Sequence, residues 1–234
     1  TMDCLHAGDT LRGTVAVPAG EGPFPAVLVM HSAVGLNAFY KSKAPLLAEL
    51  GYLAVATDMY GADVDISSEE AYAPLYMRML ENPAMLRERV VTWFDAVRAR
   101  PDVDADRVAA IGYCFGGKCV LELARSGADA KAIVSYHGIL PTYAPAQPGA
   151  VKGHVAVHTG RDDPYAPLED VTALRKELEA AGVTYSLTVY GDVEHGFTDP
   201  HAAQHARPGI SYNAIAEKTS WAATLALLEE VLKA

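Results

Sequence analysis

The 234-residue sequence is poor in cysteine, in positive charge and in long apolar runs, and each shortage excludes something. Its three cysteines, Cys4, Cys114 and Cys119, have no CxxC spacing. Neither a disulfide framework nor a zinc site is therefore expected, and an odd count suits a reducing, cytoplasmic setting. Lys and Arg total 19 against 29 Asp and Glu, a formal charge of -10. That balance argues against nucleic acid and anionic membranes, both of which call for a positive surface. No apolar stretch approaches the ~20 residues that cross a bilayer. Residues 1–6 lack the basic region and apolar run of a secretory signal, and Thr1 before Met2 reads as a tag remnant. No repeat, low-complexity tract or charged linker divides the chain, so one domain over 1–234 is expected, as monomer or homodimer.

What the sequence does have is alternation. Half of it is hydrophobic, enough for a full core without staples. Short β-branched and aliphatic runs at 14–17, 26–30, 53–57, 108–112, 132–136, 154–158 and 185–190 read as strands, several apolar throughout as in a buried parallel sheet. Amphipathic stretches at 38–50, 68–80, 84–98, 115–126, 168–181 and 212–233 read as helices, the second of them weak and interrupted by Pro74. The expected architecture is an α/β fold: a mostly parallel sheet of about seven or eight strands with helices on both faces. Two irregular excursions, 57–81 and the proline-rich 141–148, lie where loops beyond strand ends build the walls of a crevice.

The most informative segment is Gly112-Tyr113-Cys114-Phe115-Gly116-Gly117, between a buried strand and a helix. A cysteine alone at a tight turn reads as buried filler. With the strand, the glycines and the helix it reads as a nucleophile elbow, where glycines admit close neighbours and the central side chain projects above the sheet. The helix N-terminus there favours a thiolate. The backbone N–H of Phe115 supplies one oxyanion donor and the loop after strand 26–30 another. Cys119, one turn further along the helix, reads as core, and Cys4, near an unconstrained terminus, as inert.

A nucleophile needs a base, and the base needs an orienting acid. The order nucleophile, acid, histidine points to the loop after 154–158, Gly160-Arg161-Asp162-Asp163-Pro164-Tyr165-Ala166-Pro167. Asp163 is preferred over Asp162, because a residue before proline is held extended and its carboxylate position fixed. His195, in Glu194-His195-Gly196-Phe197 beyond the last strand, is the base. Of the other histidines, His6, His201 and His205 read as surface, His154 and His158 bracket a strand, and His31 and His137 end strands where both could line the site.

These segments together resemble the dienelactone hydrolase (carboxymethylenebutenolidase) family of the α/β-hydrolases, over a stretch from about residue 26 to the C-terminal helix. Val34-Gly35-Leu36-Asn37-Ala38-Phe39 and Asp58-Met59-Tyr60-Gly61 add to the likeness. The resemblance implies an α/β-hydrolase fold and a carboxylic ester hydrolase working through a thioester, with Cys114, Asp163 and His195 as triad. It also implies the N–H groups of Ala33 and Phe115 as oxyanion hole, a small ester or lactone as substrate, and no cofactor or metal. Ser32, Tyr72, His137, Phe197 and Asp199 are the expected substrate contacts. Members active on dienelactone carry a glutamate where this chain has Ser32, and arginines where it has Ser68 and Asp199. Without those cations an anionic dienelactone lacks its anchor, so altered specificity is expected. The alternative is a catalytically retired member that binds small hydrophobic ligands.

Overall fold

The computed structural model describes residues 1–205 and 207–233, apart from the side chains of Ala203 and His205. Among the described residues, eight strands form one sheet: β1 (Met2–His6), β2 (Asp9–Ala16), β3 (Phe24–Met30), β4 (Leu53–Thr57), β5 (Val103–Tyr113), β6 (Ala132–Tyr136), β7 (His154–Gly160) and β8 (Tyr185–Tyr190). They lie in the order β1-β2-β4-β3-β5-β6-β7-β8. The β1–β2 and β2–β4 pairs are antiparallel, and every pair from β4 to β8 is parallel. The sheet is thus mostly parallel with an antiparallel hairpin on one edge, as the alternating apolar runs implied.

Helices cover both faces. Leu28 and Met30 of β3 belong to the cluster packed by α3 (Pro83–Arg98), α4 (Phe115–Arg125) and α5 (Leu168–Ala180), while Val27 and Val29 belong to that packed by α1 (Ala38–Glu49) and α6 (Ala214–Lys233). Alternate side chains of one strand therefore enter opposite cores, which is why the run carries no polar alternation. No described helix is long and apolar enough to cross a membrane.

Three expectations change. Met2–His6 is a strand, with Cys4 paired to Leu11, so Cys4 is held in the core and not on a loose terminus. Its burial, chiefly, pushes that thiol up to about 11, which keeps it protonated and inert. Pro74 does not interrupt α2 (Glu69–Glu81); Glu70, whose carbonyl loses its helical donor there, is exposed to water. The stretch 141–148 does not line the cleft that holds Cys114; it is clamped to the helices. Lys118 Nζ donates to Pro141 O at 2.5 Å, and Arg87 Nη2 to Ala144 O at 2.8 Å. The Ala146 N–H donates to Glu177 Oε1 at 2.8 Å.

Candidate active site

The turn from β5 to α4 is sterically determined. A Cβ on Gly112 would stand 2.0 Å from the Gly116 carbonyl oxygen, and one on Gly116 would stand 2.2 Å from that of Met30. Only glycine fits either place. Between them Cys114 takes φ 55° and ψ −113°, a conformation costing a non-glycine residue roughly 1–3 kcal/mol. Its N–H donates to Tyr136 O at 3.0 Å, and its carbonyl accepts from Lys118 N–H at 3.2 Å, opening the helix. The turn leaves the Cys114 side chain partly exposed on a pocket wall, at the helix's positive end. Cys119, one turn on, is fully buried, and burial raises its thiol.

His195 lies on the loop after β8. Its N–H donates to Gly209 O and its carbonyl accepts from Ser211 N–H, both at 3.0 Å, so the returning segment 209–211 flanks it as a strand would. Its Nδ1 lies 2.8 Å from Asp163 Oδ2, while Asp163 Oδ1 accepts from the Tyr165 N–H at 2.8 Å. Asp163 is buried; Asp162 is exposed and pairs with Arg161. With Nδ1 on the carboxylate, Nε2 is the ring nitrogen left for the Cys114 sulfur, which lines the same cleft.

Burial alone would push the Cys114 thiol up. The charge of His195, the hydrogen bond to its ring and the N–H groups of Ala33 and Phe115 outweigh burial and hold the thiol below its ordinary value. Burial likewise opposes a charged His195, yet the adjoining sulfur and the Asp163 carboxylate raise it to about 10. The two shifts have the signs of a pair that favours thiolate beside imidazolium.

The Ala33 and Phe115 N–H groups both help lower the Cys114 thiol. Ala33 is fixed from behind, its carbonyl accepting the Tyr60 hydroxyl at 2.7 Å. Tyr60 is set in turn by Asp58, whose Oδ1 accepts the Tyr60 N–H at 2.8 Å. His31 does not line the pocket. It is fully buried, with Nδ1 2.6 Å from Ser32 O and Nε2 accepting the Met59 N–H at 3.1 Å, so it carries its proton on Nδ1 and ties the loops together.

Cys114 and His195 face the same cleft. Four of the expected substrate contacts, Ser32, Tyr72, His137 and Asp199, line it. Phe197 does not: it is wholly buried behind the site, its ring 5.1 Å from His137 and 5.5 Å from Tyr190. His137 takes φ 37°, holds Thr198 Oγ1 on Nε2 at 2.9 Å and sets its ring edge-on to His195 at 5.0 Å. Its burial, with His195 adding to the effect, drives it well below the ordinary imidazole value, so it packs there uncharged. Ser68 is the exposed N-cap of α2 and does not reach the cleft. His6 is not on the surface but part-buried against Arg89; His201 is exposed, and the side chain of His205 lies outside the described residues.

Sequence reasoning missed Tyr40, Tyr76 and Tyr165, which with Tyr72 give the wall four phenol rings, and it missed Glu69, Arg207 and Ile210. Tyr72 and Tyr76 had a signal: four apart on one helix, they share a face. Arg207 had none, since the 209–211 pairing that carries it to the mouth joins irregular segments.

The family model of the dienelactone hydrolase family matches residues 11–232. A structure of a dienelactone hydrolase-like promiscuous phosphotriesterase from metagenomic libraries is 36% identical. It covers 98% of this chain and 96% of its own, with a TM-score of 0.90. An uncharacterised Caenorhabditis elegans protein is 35% identical over 62% of this chain and 93% of its own length. A Synechocystis protein, provisionally named a carboxymethylenebutenolidase, is 27% identical over 95% of this chain and 93% of its own.

Proposed function

Because the chain belongs to the dienelactone hydrolase family, and so to the carboxylic ester hydrolases, we propose that it cleaves uncharged esters or lactones through a thioester on Cys114. The observation that carries this reading is the His195 ring, 2.8 Å from Asp163, sharing one cleft with Cys114 at its strained strand-to-helix turn. The Cys114 thiolate attacks the acyl carbon. The carbonyl π electrons move to oxygen, which accepts from the Ala33 and Phe115 amides. Collapse of this adduct breaks the C–O bond, and the leaving alkoxide takes the proton from His195. Water then gives a proton to His195 and attacks the thioester carbonyl, releasing the acid and restoring the thiolate. Asp163 stays ionised, orienting the ring and balancing its charge.

Cys114→Ala should lower turnover of phenyl acetate roughly 10³-fold or more, read as kcat/KM with folding checked by circular dichroism. Retention of most activity in that variant would refute the reading. A small-ligand-binding role without turnover predicts instead that wild type and variant are equally inactive.

A second reaction is favoured by the likeness to the phosphotriesterase. A tetrahedral phosphoryl group of a neutral triester can present its P=O to the same two amides while the thiolate displaces an aryloxide. Release of phenol from a diethyl phenyl phosphate by wild type, and not by Cys114→Ala, is the expected result.

A further inference from the structure

The mouth of the cleft holds one feature the hydrolytic reading does not use. Arg207 is the lone lysine or arginine among the described lining residues, and its Nη2 is ion-paired with Glu69 Oε1, which lines the same cleft. The two come from opposite sides: Glu69 is the first residue of α2, and Arg207 leads into the segment that flanks His195. Both side chains are about half exposed, 47% for Arg207 and 51% for Glu69. Asp199 adds a second carboxylate to the wall. Tyr40, Tyr72, Tyr76 and Tyr165 also line the cleft, Tyr165 with its ring 4.7 Å from that of His195.

Resting on the ester hydrolase reading above, we propose that Glu69 is a specificity-determining residue: by occupying Arg207 it denies the cleft's guanidinium to substrate carboxylates and restricts the site to uncharged aryl esters. A guanidinium offers a planar fork that matches a carboxylate in two parallel hydrogen bonds. Here a residue of the protein already takes one arm of that fork, Nη2. An incoming anionic substrate must displace Glu69, and the displaced carboxylate remains nearby to repel it. An uncharged ring needs no such exchange and is met by phenol faces and edges. The pair stands in water, so its own strength is small. Its effect lies in which ligand charge the mouth accepts, not in holding the fold.

The test compares phenyl acetate with para-acetoxybenzoate, its carboxylate-bearing analogue, on wild type, Glu69→Gln, Arg207→Gln and the double variant. Rates are corrected for each ester's hydrolysis by hydroxide alone. Wild type is expected to favour phenyl acetate. Glu69→Gln should raise the kcat/KM ratio of the anionic to the neutral ester roughly three- to tenfold, since the freed guanidinium can pair with substrate in a half-wet site. The gain should vanish in the double variant and shrink in high salt. A wild-type preference for the anionic ester overturns the proposal. So does an unchanged ratio in Glu69→Gln, a gain that survives loss of Arg207, or a Glu69→Gln protein inactive on both esters. If wild type hydrolyses neither ester, the hydrolase reading fails and takes this one with it. If wild type cleaves phenyl acetate through Cys114 and the ratio does not move, the role of Glu69 fails alone.

Discussion

At the scale of single residues, protonation is what distinguishes Cys114 from the other two cysteines. Cys4 and Cys119 are pushed up by burial, whereas Cys114, with His195 and two amides around it, is held below the ordinary thiol value. The sign for activity follows. As pH falls through the lowered Cys114 value the thiolate is lost, and as pH rises through about 10 His195 loses the proton the leaving group needs. The kcat/KM profile should therefore rise to a plateau from a midpoint below 9.0 and decline above about 10. Thiolate ultraviolet absorbance that is absent in Cys114→Ala should titrate at the same acid-side midpoint. A midpoint at or above 9.0 would show that the pair does not form. The adjoining aspartates give a second check. Asp163→Asn keeps the side chain's shape but favours the wrong His195 tautomer, and should cost roughly 10²–10⁴ in kcat. Asp162→Asn, which removes only an exposed pairing with Arg161, should stay within about twofold. The choice between these two was legible because proline follows only Asp163. That Asp163 is also buried against His195 was not.

At the scale of elements, the oxyanion loop after β3 is held by partners on another loop, and its precision depends on them. The Tyr60 hydroxyl is donated to Ala33 O at 2.7 Å, and the Tyr60 ring packs edge-on to His31 at 4.8 Å. In the proposed mechanism Tyr60 is a positioning residue, acting on substrate only through the Ala33 amide. Tyr60→Phe keeps the ring and removes the bond, so it should lower kcat about tenfold with KM within about twofold, because the amide matters most when the oxygen is charged. A rise in KM with unchanged kcat would place Tyr60 in ground-state binding instead. The elbow itself was readable from six residues, since its causes are local: a strand end, a helix start, and glycines whose Cβ atoms would strike backbone. The 209–211 pairing beside His195 was not, because neither partner has strand-like patterning and the contact exists only once β7 and β8 have brought the loops together.

At the scale of the whole molecule, a buried charge network joins the layer beneath the cleft. Glu122 on α4 accepts from Arg87 of α3 at 2.6 Å and from Arg125 of its own helix at 3.0 Å, and Arg125 reaches Glu177 of α5 at 2.8 Å. Glu122 is 1% exposed. Removing it takes from Arg87 its carboxylate and leaves Arg125 with Glu177 alone, at a cost of about 3 kcal/mol. Glu122→Ala should lower the melting temperature by roughly 6–12 °C, given the usual response of a chain this long. It should leave the pH profile in place, since the network does not touch Cys114 or His195. A shift below about 2 °C would mean that the neighbouring carbonyls already satisfy the arginines.

The sequence by itself determined the parallel body of the sheet and the elbow. Continuous apolar runs can be buried only on two faces at once, and Gly112 and Gly116 leave one way for the chain to pass. It also named Cys114, Asp163 and His195 in the order of the strands they follow, and the fold brings Asp163 and His195 within 2.8 Å and sets His195 with Cys114 on one cleft. Only the tertiary structure decided that Phe197 backs the site instead of lining it, that four tyrosines share the wall, and that Glu69 meets Arg207 across 138 residues of chain. Those outcomes depend on which loops fold over the sheet and at what angle, and no local pattern of side chains encodes a meeting between two loops.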